Sequence, residues 1–192
     1  MTCIAGLVSK PKVYIAADSL GAGNGCKQEY STAKLIKLPV KMMTGEYTSS
    51  LVYMLIGYTS SYRMGDILKY QFEPPTIGLN QDINEYLVSS FVPELIDCFD
   101  KNFFTRAKDS AKSGGNFLLG LEGRLFHVQD DFSVLEPVNG YTAVGSGQEF
   151  AMGALYALEN VTCAPEEALR DAIGAASQFS TTVGGKANIQ FI

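Results

Sequence analysis

The sequence predicts an α+β fold, a four-layer αββα sandwich of two mainly antiparallel sheets flanked by helix pairs. Three observations carry this. Short apolar runs come in pairs joined by turn residues, as hairpins do. Helical periodicity is confined to two blocks, residues 58–103 and 149–179. The order is therefore strands, two helices, strands, two helices, strand, without the βαβ alternation of a doubly wound sheet.

Residues 3–8 (CIAGLV) and 13–17 (VYIAA) are apolar runs separated by SKPK. Their weak alternation suits a hairpin of strands buried on both faces. The stretch 21–26 (GAGNGC) is too glycine-rich for a strand and reads as a loop. LIKL at 35–38 and LVYMLIG at 51–57 are further strands, with a turn near Thr44, Gly45 and Glu46. Across 58–70 the spacing becomes helical, with Ser60 or Ser61 as cap, and FEPPTIGL ends the helix.

A longer helix is predicted over about 82–103, where Ile83, Leu87, Phe91, Leu95 and Phe99 recur every four residues. Pro93 lies inside it and either kinks the helix or starts a second one. KDSAKSGG at 108–115 is a loop, and residues 117–136 predict a hairpin about Glu122-Gly123 and a turn at Asp130-Asp131. YTAV at 141–144 is a short strand, GSG at 145–147 a tight turn, and 149–160 a helix. A last helix starts at Pro165-Glu166-Glu167 and runs to about Phe179, before a final strand, ANIQFI. No linker or repeat interrupts the chain, so residues 2–192 are read as a single domain.

Fifteen Lys and Arg against twenty Asp and Glu give a formal charge of −5. No basic stripe with interleaved aromatics is present, which argues against nucleic acid as a partner. Cys3, Cys26, Cys98 and Cys163 are widely spaced without a CxxC, and His127 is the only histidine. That leaves little material for a metal site and suits a reducing compartment; no cofactor is expected. The start MTCIAGLV lacks a signal-peptide pattern, and no segment approaches the ~18 apolar residues of a membrane span. The expected location is cytoplasmic, away from membranes.

GAGNG lacks the Lys-Ser/Thr ending of a phosphate loop and reads as a turn. GSG opens a helix whose free N–H groups suit an anion or a peptide carbonyl, and a plain strand-to-helix turn explains it equally well. His127, in LFHVQ, reads as a structural histidine, and no GxSxG arrangement exists. The chain start is more informative. With Met1 removed, Thr2 presents a hydroxyl and a free α-amine on one residue, hence a nucleophile and a base, since such an amine titrates near pH ~8. Asp18 ends an apolar strand, where a carboxylate is costly to bury unpaired, and Lys34 precedes the next strand. A lysine beside Thr2 would favour the alkoxide, with Asp18 orienting it. An ordinary surface salt bridge is the alternative. Cys3 is a weaker candidate nucleophile, because it shifts this register by one. The pocket wall is sought in residues 45–50 and 19–23.

The blocks TCIAGLV, VYIAADS, STAKLIKL, the IGY before the first helix, and YTAVGSGQEFAMGAL resemble the N-terminal-nucleophile hydrolases of the proteasome β-subunit and HslV-like family, in that family's order. The resemblance implies Thr2 as nucleophile with its own amine as base, Lys34 as electrostatic activator and Asp18 as its anchor. It also implies the Gly57 backbone N–H as oxyanion donor and Ser146 near the threonine amine. The activity implied is that of a threonine-type peptidase or amide hydrolase working through an acyl-enzyme ester on peptides or unfolded proteins. It implies a homo-oligomer, in ring form in this family, with an ATP-dependent unfoldase as a partner, although no docking tail is identifiable. FSTTVGG departs from the pattern: Ser180 and Val183 stand where the family has Asp and Ser. Only Met1 precedes Thr2, so freeing the amine calls for a methionine aminopeptidase. Retained Met1 and the altered 180–183 segment suit the alternative, a catalytically silent structural or assembly protein.

Overall fold

A computed structural model describes residues 2–192 except 24, 25, 109 and 110. Met1 therefore lies outside the described residues, as do the last two residues of the GAGNG segment, 24 and 25. In chain order the elements are β1 (Cys3–Ser9), β2 (Lys12–Ala17), β3 (Leu20–Gly23), β4 (Cys26–Glu29), β5 (Leu35–Met43), β6 (Ser49–Tyr58) and α1 (Tyr62–Tyr70). Next come α2 (Ile83–Tyr86), a π-helical turn (Leu87–Phe91), α3 (Val92–Lys101), β7 (Arg106–Lys108), β8 (Ala111–Ser113), β9 (Phe117–Leu121) and β10 (Arg124–Val128). The chain closes with β11 (Val134–Leu135), β12 (Tyr141–Gly145), α4 (Gln148–Leu158), α5 (Pro165–Phe179) and β13 (Asn188–Phe191).

Two antiparallel sheets, β12-β1-β2-β13 and β11-β10-β9-β6-β5, stack face to face. Ile4, Val13, Ile15 and Val144 of the first meet Leu35, Leu55, Leu118 and Leu125 of the second. The outer face of the first sheet, including Cys3, Ala5 and Ala16, is covered by Ala151, Leu155, Leu169 and Ile173 of α4 and α5. That of the second, including Ile36, Met54 and Phe126, is covered by Met64, Ile67, Phe91, Leu95 and Phe99. Four layers result, as the element order predicts. β1 and β2 are apolar on both faces because each face meets another layer, which is why their alternation is weak.

The structure sharpens several boundaries. The sequence predicts a loop over 21–26, but residues 21–23 and 26 belong to strands β3 and β4, which pair antiparallel, because small residues without period pair through their backbones. The loop predicted at 108–115 likewise carries the small β7–β8 pair. α1 starts at Tyr62, with Ser61 Oγ accepting from the Arg63 amide at 3.1 Å, so Ser61 is the cap. The long helix begins after Asp82, whose carboxylate accepts from the amides of Asn84 and Glu85. It continues to Lys101 through the π turn, where the Val92 amide reaches back to the Leu87 carbonyl. Pro93 has no N–H to complete an α-helical bond, and the widened turn just before it accommodates the ring without ending the helix. Glu122 and Gly123 both have positive φ, +48° and +71°, the two-residue turn that matches the twist of the β9–β10 hairpin.

Candidate active site

Thr2 precedes β1, the inner strand between β12 and β2. Ile4 is in register with Ala17, and the Asp18 amide donates to the Cys3 carbonyl at 3.2 Å, which brings Asp18 beside the chain start. Lys34 comes from the other sheet, where its carbonyl accepts from the Tyr58 amide at 3.0 Å and fixes it at the head of β5. The site thus straddles the edge where the two sheets meet.

All three side chains are buried: Thr2 is 3% exposed, Asp18 0% and Lys34 4%. Thr2 Oγ1 donates to Asp18 Oδ1 and accepts from Lys34 Nζ. Lys34 Nζ also donates to Asp18 Oδ1 and to the Leu20 carbonyl, each at 2.7 Å, so all three ammonium protons are engaged. Asp18 further accepts from the amides of Cys3 at 3.0 Å and Gly184 at 3.2 Å. A buried ion pair persists only when its charges are this fully partnered, and removing one member costs about 3–5 kcal/mol. Burial pulls the Lys34 ammonium below its ordinary value of 10.5, and the hydrogen bond and charge of Asp18 oppose that fall. The lysine is therefore a cation whose charge is easily lost.

Cys3 sits next to this cluster, but burial first, and the charge of Asp18 second, push its thiol up to about 12. It stays protonated and packs under α4 and α5, which disfavours it as a nucleophile. His127 is half-buried on β10 and hydrogen-bonds the Asn116 side chain. Burial holds its imidazole below 6.5, consistent with the structural part read from the sequence.

Ser146 follows Gly145, whose φ of +97° and missing Cβ let β12 close on Thr2; a Cβ there would lie 2.3 Å from the Thr2 carbonyl oxygen. Ser146 Oγ donates to that carbonyl at 3.3 Å and pairs with Thr182 Oγ1 at 2.8 Å. Thr182 Oγ1 pairs with Ser180 Oγ at 3.1 Å, and the Thr182 amide donates to Ser180 Oγ at 3.3 Å. The sequence points to Ser180 and Val183 but misses Thr182 between them. Its only signal is a hydroxyl residue in the anomalous STTV run. Val183 is 1% exposed and belongs to the core under α4 and α5.

Gly57 lies inside β6 opposite Leu35 and Leu118. The Thr59 amide points to β9, donating to the Asn116 carbonyl at 3.1 Å, whereas the Tyr58 amide points to β5. By antiparallel alternation the Gly57 amide faces Leu118 and belongs to the ladder, not to an open strand end. What Gly57 supplies is closeness, since a Cβ there would lie 2.6 Å from Ile4 Cγ2 and 2.8 Å from Ile15 Cγ2. A small cavity of about 40 Å³ opens instead between Thr2, Lys34 and the turn 58–62. Ser60 in that turn has φ +70°, and its amide donates to no described backbone carbonyl. Tyr62 Oη, in the same wall, is buried without a hydrogen-bond partner among the described residues, and burial with the nearby charge of Asp18 keeps the phenol protonated. Residues 45–50 lie at the far end of the β5–β6 hairpin and do not line this cavity; from 19–23, Leu20 contributes the carbonyl that Lys34 binds.

Among the described residues, no group of three or more His, Cys, Asp and Glu side chains could hold a metal ion, and no helix is long and apolar enough to cross a membrane.

No protein-family model matches the sequence, and no curated protein sequence does. Solved structures do match in shape. BPH from Thiobacillus denitrificans superposes with a TM-score of 0.73 at 19% identity, covering 100% of this chain and 97% of that one. The same protein in complex with epoxomicin matches equally well. Eukaryotic HslV from Trypanosoma brucei gives 0.63 at 16% identity over 99% and 98% of the two chains. A Gly-1 mutant of Anbu from Hyphomicrobium sp. strain MC1 gives 0.64 at 11% identity, covering 98% of this chain and 80% of that one. This chain shares the proteasome-type fold of these structures.

Proposed function

We propose that the chain is a threonine-type peptidase or amide hydrolase with Thr2 as its nucleophile. The observation that carries this reading is the buried contact in which Lys34 Nζ donates to Thr2 Oγ1 while Asp18 holds both. A fully buried cation aimed at a hydroxyl oxygen has little structural purpose; its charge favours an alkoxide there. Once Met1 is removed, the Thr2 amine takes the hydroxyl proton as Oγ attacks a peptide carbonyl, and passes it to the departing amine as the peptide C–N bond breaks. The acyl ester on Thr2 is then hydrolysed by water, with the same amine as base. The carbonyl oxygen develops its charge in the cavity beside the 58–62 turn, where the Ser60 amide, which donates to no described backbone carbonyl, is the candidate donor and Gly57 sets the spacing between sheets.

Peptides or unfolded proteins are the substrate class, and a homo-oligomer, in ring form and in the cytoplasm, is the working assembly, with an ATP-dependent unfoldase as a candidate partner. The fold and the epoxomicin complex of the Thiobacillus protein support this reading. A second reading, a non-catalytic assembly protein, is favoured by Val183 and by the absence of a carboxylate from the Ser146–Thr182–Ser180 cluster.

Two measurements separate them. Intact mass should show Met1 absent; a population that keeps it throughout excludes the free-threonine mechanism. Incubation with epoxomicin should then add one inhibitor mass to the wild type and none to Thr2→Ala, and Thr2→Ala should lower peptide hydrolysis by at least ~10³-fold. Equal hydrolysis by both proteins would remove Thr2 from the mechanism.

A further inference from the structure

The hydroxyls beside Thr2 form a chain whose direction is fixed by its two ends. A backbone amide only donates and a carbonyl only accepts. The Thr182 amide donates to Ser180 Oγ, at 3.3 Å, and because the single Thr182 hydroxyl proton goes to Ser146, Ser180 turns its own proton toward Thr182 Oγ1, 3.1 Å away. At the other end Ser146 Oγ donates to the Thr2 carbonyl at 3.3 Å, so it must accept from Thr182 Oγ1, 2.8 Å away. Every proton in the run therefore points toward Thr2, and bonds aligned head to tail polarise one another.

From this geometry we infer that Thr182 is a positioning residue for the nucleophile: it holds Ser146 with its proton on the Thr2 carbonyl and leaves a lone pair of Ser146 for the Thr2 amine. The inference rests on the threonine-nucleophile reading above. The consequence is electrical as well as steric. No member of the chain is ionisable in the working pH range, so the ammonium formed when Thr2 gives up its hydroxyl proton is solvated by a neutral oxygen. The fixed charges on the nucleophile itself are Lys34 and Asp18, which both bond Thr2 Oγ1 and offset one another as an ion pair. A neutral chain beside the amine keeps it unprotonated to lower pH than a carboxylate at the same place would. Val183, next to Thr182 in sequence, is buried in the core under α4 and α5 and brings no hydroxyl to the chain.

The test uses the full-length protein with Met1 removed. Thr182→Val deletes the hydroxyl at nearly constant volume and should reduce kcat about tenfold on a short peptide with KM nearly unchanged, whereas Thr182→Ser should restore most of it. Ser180→Asp puts a carboxylate on the chain and should move the acid limb of the kcat–pH profile upward by about one pH unit. The pH dependence of acylation of the Thr2 amine by an amine-reactive reagent, followed by mass, should move the same way and needs no turnover. Wild-type kcat in Thr182→Val, Thr182→Ser as impaired as Thr182→Val, or an unmoved amine titration in Ser180→Asp would each overturn the inference. These outcomes leave Thr2-dependent hydrolysis intact, whereas loss of that hydrolysis in the wild type fails the underlying reading instead.

Discussion

Lys34 carries a charge that the protein makes expensive to keep. Its folded-state pKa lies below 10.5 because burial outweighs the help of Asp18. Between that value and 10.5 the unfolded chain binds more protons than the folded one, so stability rises as pH rises through this window and falls as pH drops back. Activity must do the opposite, because the neutral amine no longer stabilises the alkoxide. The base limb of kcat/KM should therefore fall at a pH below 10.5 while the denaturation midpoint climbs over the same interval. Parallel pH titrations of turnover and of urea unfolding check this, and a base limb that tracks loss of stability would instead indicate unfolding. At this scale the sequence was most informative: Thr2, Asp18 and Lys34 meet because their strands are adjacent, and strands are legible. Thr182 was not legible, since its part depends on where a loop folds back rather than on any period. Nor was Ser60, whose positive φ leaves no mark in a residue of that type.

At the scale of elements, the site exists only if the two sheets approach closely at one edge, because Thr2 and Asp18 belong to one sheet and Lys34 to the other. Gly57 faces this interface, with Ile4 and Ile15 filling the space a Cβ would need. Gly57→Ala should cost about 1–3 kcal/mol in urea unfolding. By forcing β6 away from β1 and β2 it should also lower turnover beyond the stability loss. An alanine tolerated without change in the unfolding midpoint would show that the sheets can spread. A glycine in a strand signals close approach without naming the partner, so the sequence alone did not show that Gly57, for which the resemblance implies an oxyanion donor, packs against the other sheet within the ladder. Helix and strand order were read well because apolar period survives burial on one side. The short β3–β4 and β7–β8 pairs were not, because glycine and small polar residues there carry no period. The continuous helix across Pro93 was left open for a related reason: a proline announces a missing bond but not whether a π turn absorbs it.

The whole molecule leaves one helical layer unfinished. On α4 and α5, Tyr156 is 70% exposed and Phe179 69%, and Phe150 stacks against Phe179 with ring centres 5.7 Å apart. In the same two helices, Gly153 and Gly174 face open space, with nothing within 4 Å of where a Cβ would stand. A helix-interior glycine costs ~1 kcal/mol relative to alanine, and inside a single chain neither position repays it. Contact with a second copy would, because bare backbone beside exposed aromatics admits a close partner. The wild-type protein should therefore elute at a multiple of its chain mass in size-exclusion chromatography with light scattering. Gly153→Leu adds a side chain that the isolated chain accommodates freely, so its thermal midpoint as a single chain should not fall. The same side chain occupies the space a partner needs, and the assembly should dissociate at concentrations where the wild type holds together. Assembly unaffected by Gly153→Leu would move the contact off this layer, and a wild type that runs as a single chain at every concentration would leave those glycines and aromatics without the partner argued for here.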